Sequence, residues 1–242
     1  MSPKIVEDLA PTGVLRAAIN LSNFLLVTGR NDEGEPAGVS PDMAQEVARS
    51  LGVELKMVEY KTPGEIADDA GNNAWDIANI GSEPQRAEKI NFTSAYCEIQ
   101  ATYLVSADSS LESIDQVDRP GIRIAVSARS AYDLWLDRNI REAELVRAQG
   151  LDASYELFVS KKLDALAGLR PKLMQEVQKL EGARILPGQF TAVQQSIGCA
   201  KNRESGAVFL REFVEEVKAS GLVAELIEKH GVTGRLSVAP PA

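Results

Sequence analysis

The sequence predicts an α/β protein in two halves, each a parallel sheet with helical crossovers. Three observations carry this expectation. Short strand-like runs alternate with helix-period segments from residue 14 to residue 90, and the alternation resumes from 122 to 186. Two β-like stretches, 96–105 and 191–200, have no helix beside them and lie between the halves. The length of 242 residues suits one large domain or two small ones, at roughly 100–200 residues per domain.

Each element has a local reason. Residues 14–19 (VLRAAI) form a strand-like run ending in the polar turn Asn20-Leu21-Ser22-Asn23, and 29–38 is loop-like, crowded with Gly, Pro, Asn and Asp. In the next helix Ser40 caps, Pro41 suits the first turn, and Met43, Val47 and Leu51 recur every four residues before Gly52. Residues 53–58 alternate apolar and polar as a strand does. Thr62-Pro63-Gly64-Glu65 reads as a capping box with proline at the first helical position. Residues 75–80 form a short buried strand running into Gly81 and Ser82. In the second half, 122–126 is a strand leading to Ser127-Ala128-Arg129-Ser130 and a helix from 131. Strand 144–147, helix 155–162 and strand 164–167 follow, then a helix marked by Leu173, Met174, Val177 and Leu180, and a short strand at 184–186. Helices 204–219 and 222–229 close the chain, with 238–242 expected to fray.

Composition excludes several function classes. The charge sum of 26 − 35 = −9 leaves no basic surface for a nucleic-acid backbone. No apolar run approaches the roughly 18–20 residues that cross a bilayer, so no membrane insertion is expected. Cys97 and Cys199 are too few for a disulfide scaffold, and neither lies in a zinc-like cluster, so no metal or cofactor is expected. His230, the single histidine, sits before Gly231 at a helix end, where a cation suits the helix dipole. The first residues carry no basic segment followed by an apolar one. The protein is therefore expected in the cytoplasm, or in the periplasm where a leader has been removed.

Ligands of open α/β sheets bind at the carboxyl ends of strands. Three polar loops follow strands here: 20–23, 79–86 and 127–130. The third opens a helix, whose N–H groups and dipole can hold an anion, and Arg86 offers a fork that matches a carboxylate.

The order of these segments resembles the family 3 extracellular solute-binding proteins, the amino-acid receptors of ABC importers. The likeness rests on Gly13 to Ala18, on Gly34-Glu35-Pro36-Ala37-Gly38-Val39-Ser40-Pro41-Asp42, and on Trp75-Asp76-Ile77-Ala78. It continues through 84–96 (PQRAEKINFTSAY), 121–126 and 209–221, so it spans about 12 to 231. It implies a two-lobed type-2 periplasmic-binding fold with a double-strand hinge, closing over ligand. Lobe one would comprise 1–101 and 198–242, and lobe two 102–197.

The resemblance also assigns roles. Arg86 matches the arginine that clamps an α-carboxylate, and Ser130, after Arg129, falls where a helix-start hydroxyl holds the same group. Asn79 and Gly81 occupy strand-end contact positions, and Asn20 and Asn23 align with the first-loop residues. Three departures stand out. The second-lobe acid that pairs with a ligand ammonium is replaced by Leu169, followed by Arg170. The first-loop aromatic is Asn23, and the hydroxyl residue three before the arginine is Glu83. Glu83 either supplies a counter-charge for an amine or caps the loop as a solvated carboxylate. A cation beside the site favours a second acidic group on the ligand.

The resulting expectation is a monomeric receptor for a small carboxylate-bearing metabolite, an amino acid or organic acid, with an ABC permease as partner and no catalytic residue. The alternatives are an enzyme resembling cyclohexadienyl dehydratases, which turn prephenate or arogenate into aromatic products, and a cytosolic orphan binder or sensor. Cys97 and Cys199 fall on the two crossing strands, as a disulfide or as buried thiols. Trp75 and Trp135 are expected in the core, Tyr132 either lining the cleft or facing outward, and Asp76 and Asp164 are expected as structural equivalents in the two lobes.

Overall fold

The computed structural model describes residues 2–242. In chain order the elements begin α1 (Pro3–Leu9), β1 (Val14–Asn20), β2 (Gly29–Arg30), β3 (Pro36–Ala37), α2 (Val39–Leu51) and β4 (Glu54–Tyr60). Then come α3 (Pro63–Asp68), β5 (Ile77–Gly81), α4 (Pro84–Ala87), β6 (Ile90–Val105), β7 (Arg123–Ser127) and α5 (Ala131–Asn139). β8 (Glu144–Ala148), α6 (Leu151–Ser160), β9 (Ala165–Leu169), α7 (Arg170–Glu176) and β10 (Arg184–Ile185) follow. The chain ends with β11 (Thr191–Ala200), α8 (Glu204–Ala219), α9 (Leu222–Lys229) and β12 (Ser237–Val238). It divides into two compact units, residues 1–98 with 194–242, and residues 99–193, and both β6 and β11 run from one unit into the other.

In the first unit β1 is central, with β4 parallel on one side and β5 parallel on the other. β11 pairs antiparallel with β5. One sheet face packs Ala18, Ala78 and Ile80 against Ile66, Trp75 and Ile90, all buried. α3 begins with the expected capping box: Thr62 accepts from the Glu65 N–H while Glu65 reaches back to the Thr62 N–H. α2 buries Met43, Val47 and Leu51 as its spacing predicts. Its cap, however, is Gly38 rather than Ser40. A Cβ at residue 38 would lie 2.2 Å from the Leu26 carbonyl oxygen, so only glycine lets the chain pass there, and Ser40 N donates to that carbonyl at 3.0 Å.

The second unit repeats the plan. β7 is central between parallel β8 and β9, and β6 pairs antiparallel with β9. Its core packs Leu104, Ala125 and Leu166 against Phe158, Leu163 and Leu173. The short β10 departs from the parallel pattern and runs antiparallel to β6.

Both chain ends are more ordered than the sequence suggests. α1 packs on α8, where Asp8 accepts the Gly206 N–H at 3.0 Å. The last residues do not fray. β12 pairs with β6, Ala239 N donates to the Tyr96 carbonyl at 3.1 Å, and Lys218 Nζ donates to Pro240 O at 2.8 Å. The stretch 29–38 contains the two-strand hairpin β2–β3. Cys97 and Cys199 are both free and buried.

Candidate functional site

In the first unit, with strand order β4-β1-β5, the chain leaving β1 runs to β4 on one side while the chain leaving the adjacent β5 runs to β6 on the other. The carboxyl end of β1 is therefore a switch point of the kind where α/β sheets hold ligands. Asn20 ends β1, and its Oδ1 accepts from Ser22 N at 3.2 Å and Ser22 Oγ at 2.7 Å. Asn23 Oδ1 accepts from Leu25 N at 3.3 Å, so both buried asparagines build the turn from their own side chains.

Asn79 stands in register with Ile19 of β1 and Ile197 of β11. It is 1% exposed, and neither amide atom has a hydrogen-bond partner among the described residues. An unsatisfied buried amide costs about 1–3 kcal/mol per group.

Gly81 ends β5, and the chain then makes a single helical turn, α4, with Glu83 as N-cap and Pro84 at the first position, where no N–H is needed. Arg86 thus lies on a helix, not in a loop. It is 4% exposed, and its Nη1 donates to the Gly81 carbonyl at 2.7 Å, which fixes the guanidinium at the strand end. Glu83 is buried and its side chain makes no cap bond, so of its two readings the solvated cap does not hold.

In the second unit β7 ends at Ser127, which is buried. Arg129 adopts the left-handed region at φ 60°, and its N–H donates to Asp133 Oδ2 at 2.7 Å. Ser130 caps α5 by accepting the Asp133 N–H at 3.1 Å. Asp133 is further held by Arg147 Nε at 2.9 Å, so the start of α5 is fixed from both sides. Tyr132 is buried rather than outward. Burial pushes its phenol up to about 12, against the pull of the Ser130 and Ser127 hydroxyls beside it, and its hydroxyl has no partner of good geometry. Leu169 ends β9 as a buried apolar residue. Arg170 opens α7, where its Nε donates to Gln100 Oε1 at 2.8 Å and its Nη2 to the Gly188 carbonyl.

The structure therefore brings Asn20, Asn23, Asn79, Gly81, Glu83 and Arg86 to the β1 and β5 ends of one unit. It brings Arg129, Ser130, Leu169 and Arg170 to the β7 and β9 ends of the other. Ser127, placed by the sequence in the polar loop 127–130, is instead the last residue of β7.

This fold, with polar strand-end loops around a buried arginine, defines a class. The chain belongs to the bacterial extracellular solute-binding proteins, family 3, whose sequence model matches residues 21–233. Within that class it is similar to a cyclohexadienyl dehydratase of Pseudomonas aeruginosa, 28% identical over 145 residues, 58% of this chain and only 53% of that relative. It is 22% identical to the L-cystine-binding protein TcyJ of Escherichia coli K12 over 83% of this chain and 76% of the relative. In fold it matches a Campylobacter jejuni cysteine-binding protein (TM-score 0.74, 16% identity, 93% and 92% of the two chains). It also matches an L-arginine-bound amino acid ABC transporter substrate-binding protein of Streptococcus pneumoniae (TM-score 0.73, 16% identity, 93% and 97%). Among the described residues no helix is long and apolar enough to cross a membrane.

Proposed function

We propose that this chain is the solute receptor of an ABC-type importer and binds a small metabolite through its carboxylate. The observation that carries this reading is Arg86, an arginine 4% exposed and oriented by the Gly81 carbonyl at the end of a central strand. A buried guanidinium held in one orientation is suited to bidentate recognition of a carboxylate. Asn79 supports the reading as a buried amide with no hydrogen-bond partner among the described residues, and Asn20 and Asn23 border the same strand ends. From the second unit, Ser130 and the backbone at the start of α5 are the proposed contacts, with Arg129 beside them. Leu169 leaves the β9 end without a carboxylate, so the second unit offers an ammonium no counter-charge there. This favours an organic acid, or an amino acid whose amine is met by Glu83. Periplasmic location, a permease partner and a monomeric state belong to the same proposal.

Native mass spectrometry of the purified protein, followed by thermal shift over amino acids and organic acids, tests it. A carboxylate-bearing solute that raises the melting temperature in proportion to ln(1 + [L]/Kd) is expected. A panel with no responder would contradict it.

The match to a cyclohexadienyl dehydratase favours a second reading, an enzyme acting on a cyclohexadienyl acid. Glu83 is then the candidate general acid, buried three residues before Arg86. Incubation with prephenate under absorbance detection separates the readings. Turnover that disappears in Glu83→Gln would establish the enzyme, and a stabilising ligand without product supports the receptor.

A further inference from the structure

Each unit has a cavity near the strand ends remote from its candidate residues. In the second unit it measures about 460 Å³, with an apolar floor that includes Ile122, Phe158 and Leu163 and a rim of mixed charge, Asp108, Lys162 and Asp164. Its counterpart in the first unit, about 410 Å³, lies where the chain enters β5 and leaves β11. The polar side chains of that lining are Lys89, Lys201, Arg203, Asn73 and Asn202, and no acidic residue lines it.

The charge beneath this cavity is positive as well. Asp76 is fully buried and takes hydrogen bonds from Arg16 Nε (2.9 Å), Arg16 Nη2 (2.8 Å) and Arg203 Nη1 (2.7 Å). One carboxylate thus faces two guanidinium groups. Asn73, left-handed at φ 56°, gives its carbonyl to Arg16 Nη1 at 2.6 Å and its Oδ1 to Arg16 Nη2 at 2.9 Å and Arg203 Nη2 at 3.5 Å. Its acceptors are turned to the arginines, which leaves its amide N–H groups as the polar end that can face a ligand. The backbones carrying the lysines are tied down. Lys89 N donates to Arg86 O at 3.1 Å, and Lys201 O accepts from Asn91 Nδ2 at 3.2 Å.

Three cations, Lys89, Lys201 and Arg203, therefore line this cavity with no acidic residue in its lining, a local surplus of positive charge in a chain of net charge −9. The fold does not require that surplus. The second unit has the same Arg–Asp pairing, Arg123 with Asp164, but adds no second arginine there and places two acids on the rim.

The geometry points to a binding site for a phosphate group in this cavity. A doubly charged tetrahedral oxyanion suits two lysines used as point charges, with an arginine and two amides as further donors. The phosphate is either free in solution or carried by a lipid headgroup. Arg86 does not line this cavity, and the site does not depend on the solute reading.

Isothermal titration of the full chain with inorganic phosphate at low salt tests the free form. Sedimentation with vesicles of one part phosphatidylglycerol to three parts phosphatidylcholine tests the headgroup form. Saturable binding in either arm is expected, weakening with ionic strength. Lys89→Ala with Lys201→Ala should weaken it about ten-fold or more by removing two of the charge-assisted contacts. Both lysines are exposed, so folding should survive, and an unchanged far-ultraviolet spectrum confirms it. Lys56→Ala with Lys61→Ala removes the same net charge elsewhere on the unit and should leave binding intact. No saturable binding in either arm, equal binding in the Lys89/Lys201 variant, or an equal loss in the Lys56/Lys61 control would each overturn the proposal.

Discussion

The two units follow one plan and stabilise it differently. In each, the residue ahead of the third strand is an aspartate that takes the backbone N–H of an arginine at or near the start of the central strand: Asp76 from Arg16 at 2.9 Å, Asp164 from Arg123 at 2.8 Å. In the first unit the carboxylate is fully buried and paired with two arginines. In the second its side chain is 36% exposed and a single guanidinium lies 3.5 Å away. Burial alone would raise the Asp76 pKa, yet the hydrogen bonds from Arg16 and Arg203 outweigh it and hold the carboxyl below its ordinary value. The same two side chains are thus a buried ionic latch in one unit and a surface pair in the other. Their strand ends diverge too: one presents a buried arginine and asparagines, the other a capped helix start and an apolar Leu169.

The largest expected effect tests this contrast. Asp76→Asn leaves two arginines without their buried partner and should cost about 3–5 kcal/mol, whereas Asp164→Asn should cost about 1 kcal/mol or less. Denaturant unfolding of both variants reads the difference, and equal losses would mean that burial does not distinguish the units. The Asp76 contribution also carries a pH signature. A carboxyl whose folded pKa is depressed stabilises fully above about pH 4, and the effect is lost as pH falls through the depressed value. Acid unfolding of Asp76→Asn should therefore show a weaker dependence on pH below about 4 than the parent chain.

Asp8→Ala comes next. It strips the Gly206 N–H of its acceptor at the α1–α8 contact and should cost about 1–2 kcal/mol, with Lys4→Ala nearly neutral because that ion pair is exposed at Lys4. A smaller loss than that of Asp8→Ala is expected of Thr62→Ala, which removes half of the α3 capping box for about 1 kcal/mol. A loss as large as that of Asp76→Asn would show that α3 matters more to the first unit than its six residues suggest.

Much of this was legible because local chemistry and tertiary structure agree. The Thr62 box, the four-residue spacing of α2 and the turn residues after β1 each act within a few positions. β11, α8 and α9 occupy the ranges their patterns predict. What was not legible depends on distant partners. α1 is held by a bond from Gly206, 198 residues away, and the tail by backbone bonds to β6. The start of α2 is set by the Leu26 carbonyl pressing on Gly38, which outranks the capping preference of Ser40. At the candidate site, the roles expected of Arg86 and Ser130 come from the family resemblance, since residue type alone marks neither. The unpartnered state of Asn79 and the commitment of Arg170 to Gln100 could not be foreseen, because neither depends on neighbours in sequence.

The central claim is that Arg86 holds a carboxylate. Isothermal titration of the parent chain and Arg86→Ala, using the solute with the largest thermal shift in the panel, tests it most directly. A Kd raised about a hundred-fold or more, in a variant that still folds, is the predicted result. An unchanged Kd would contradict the account.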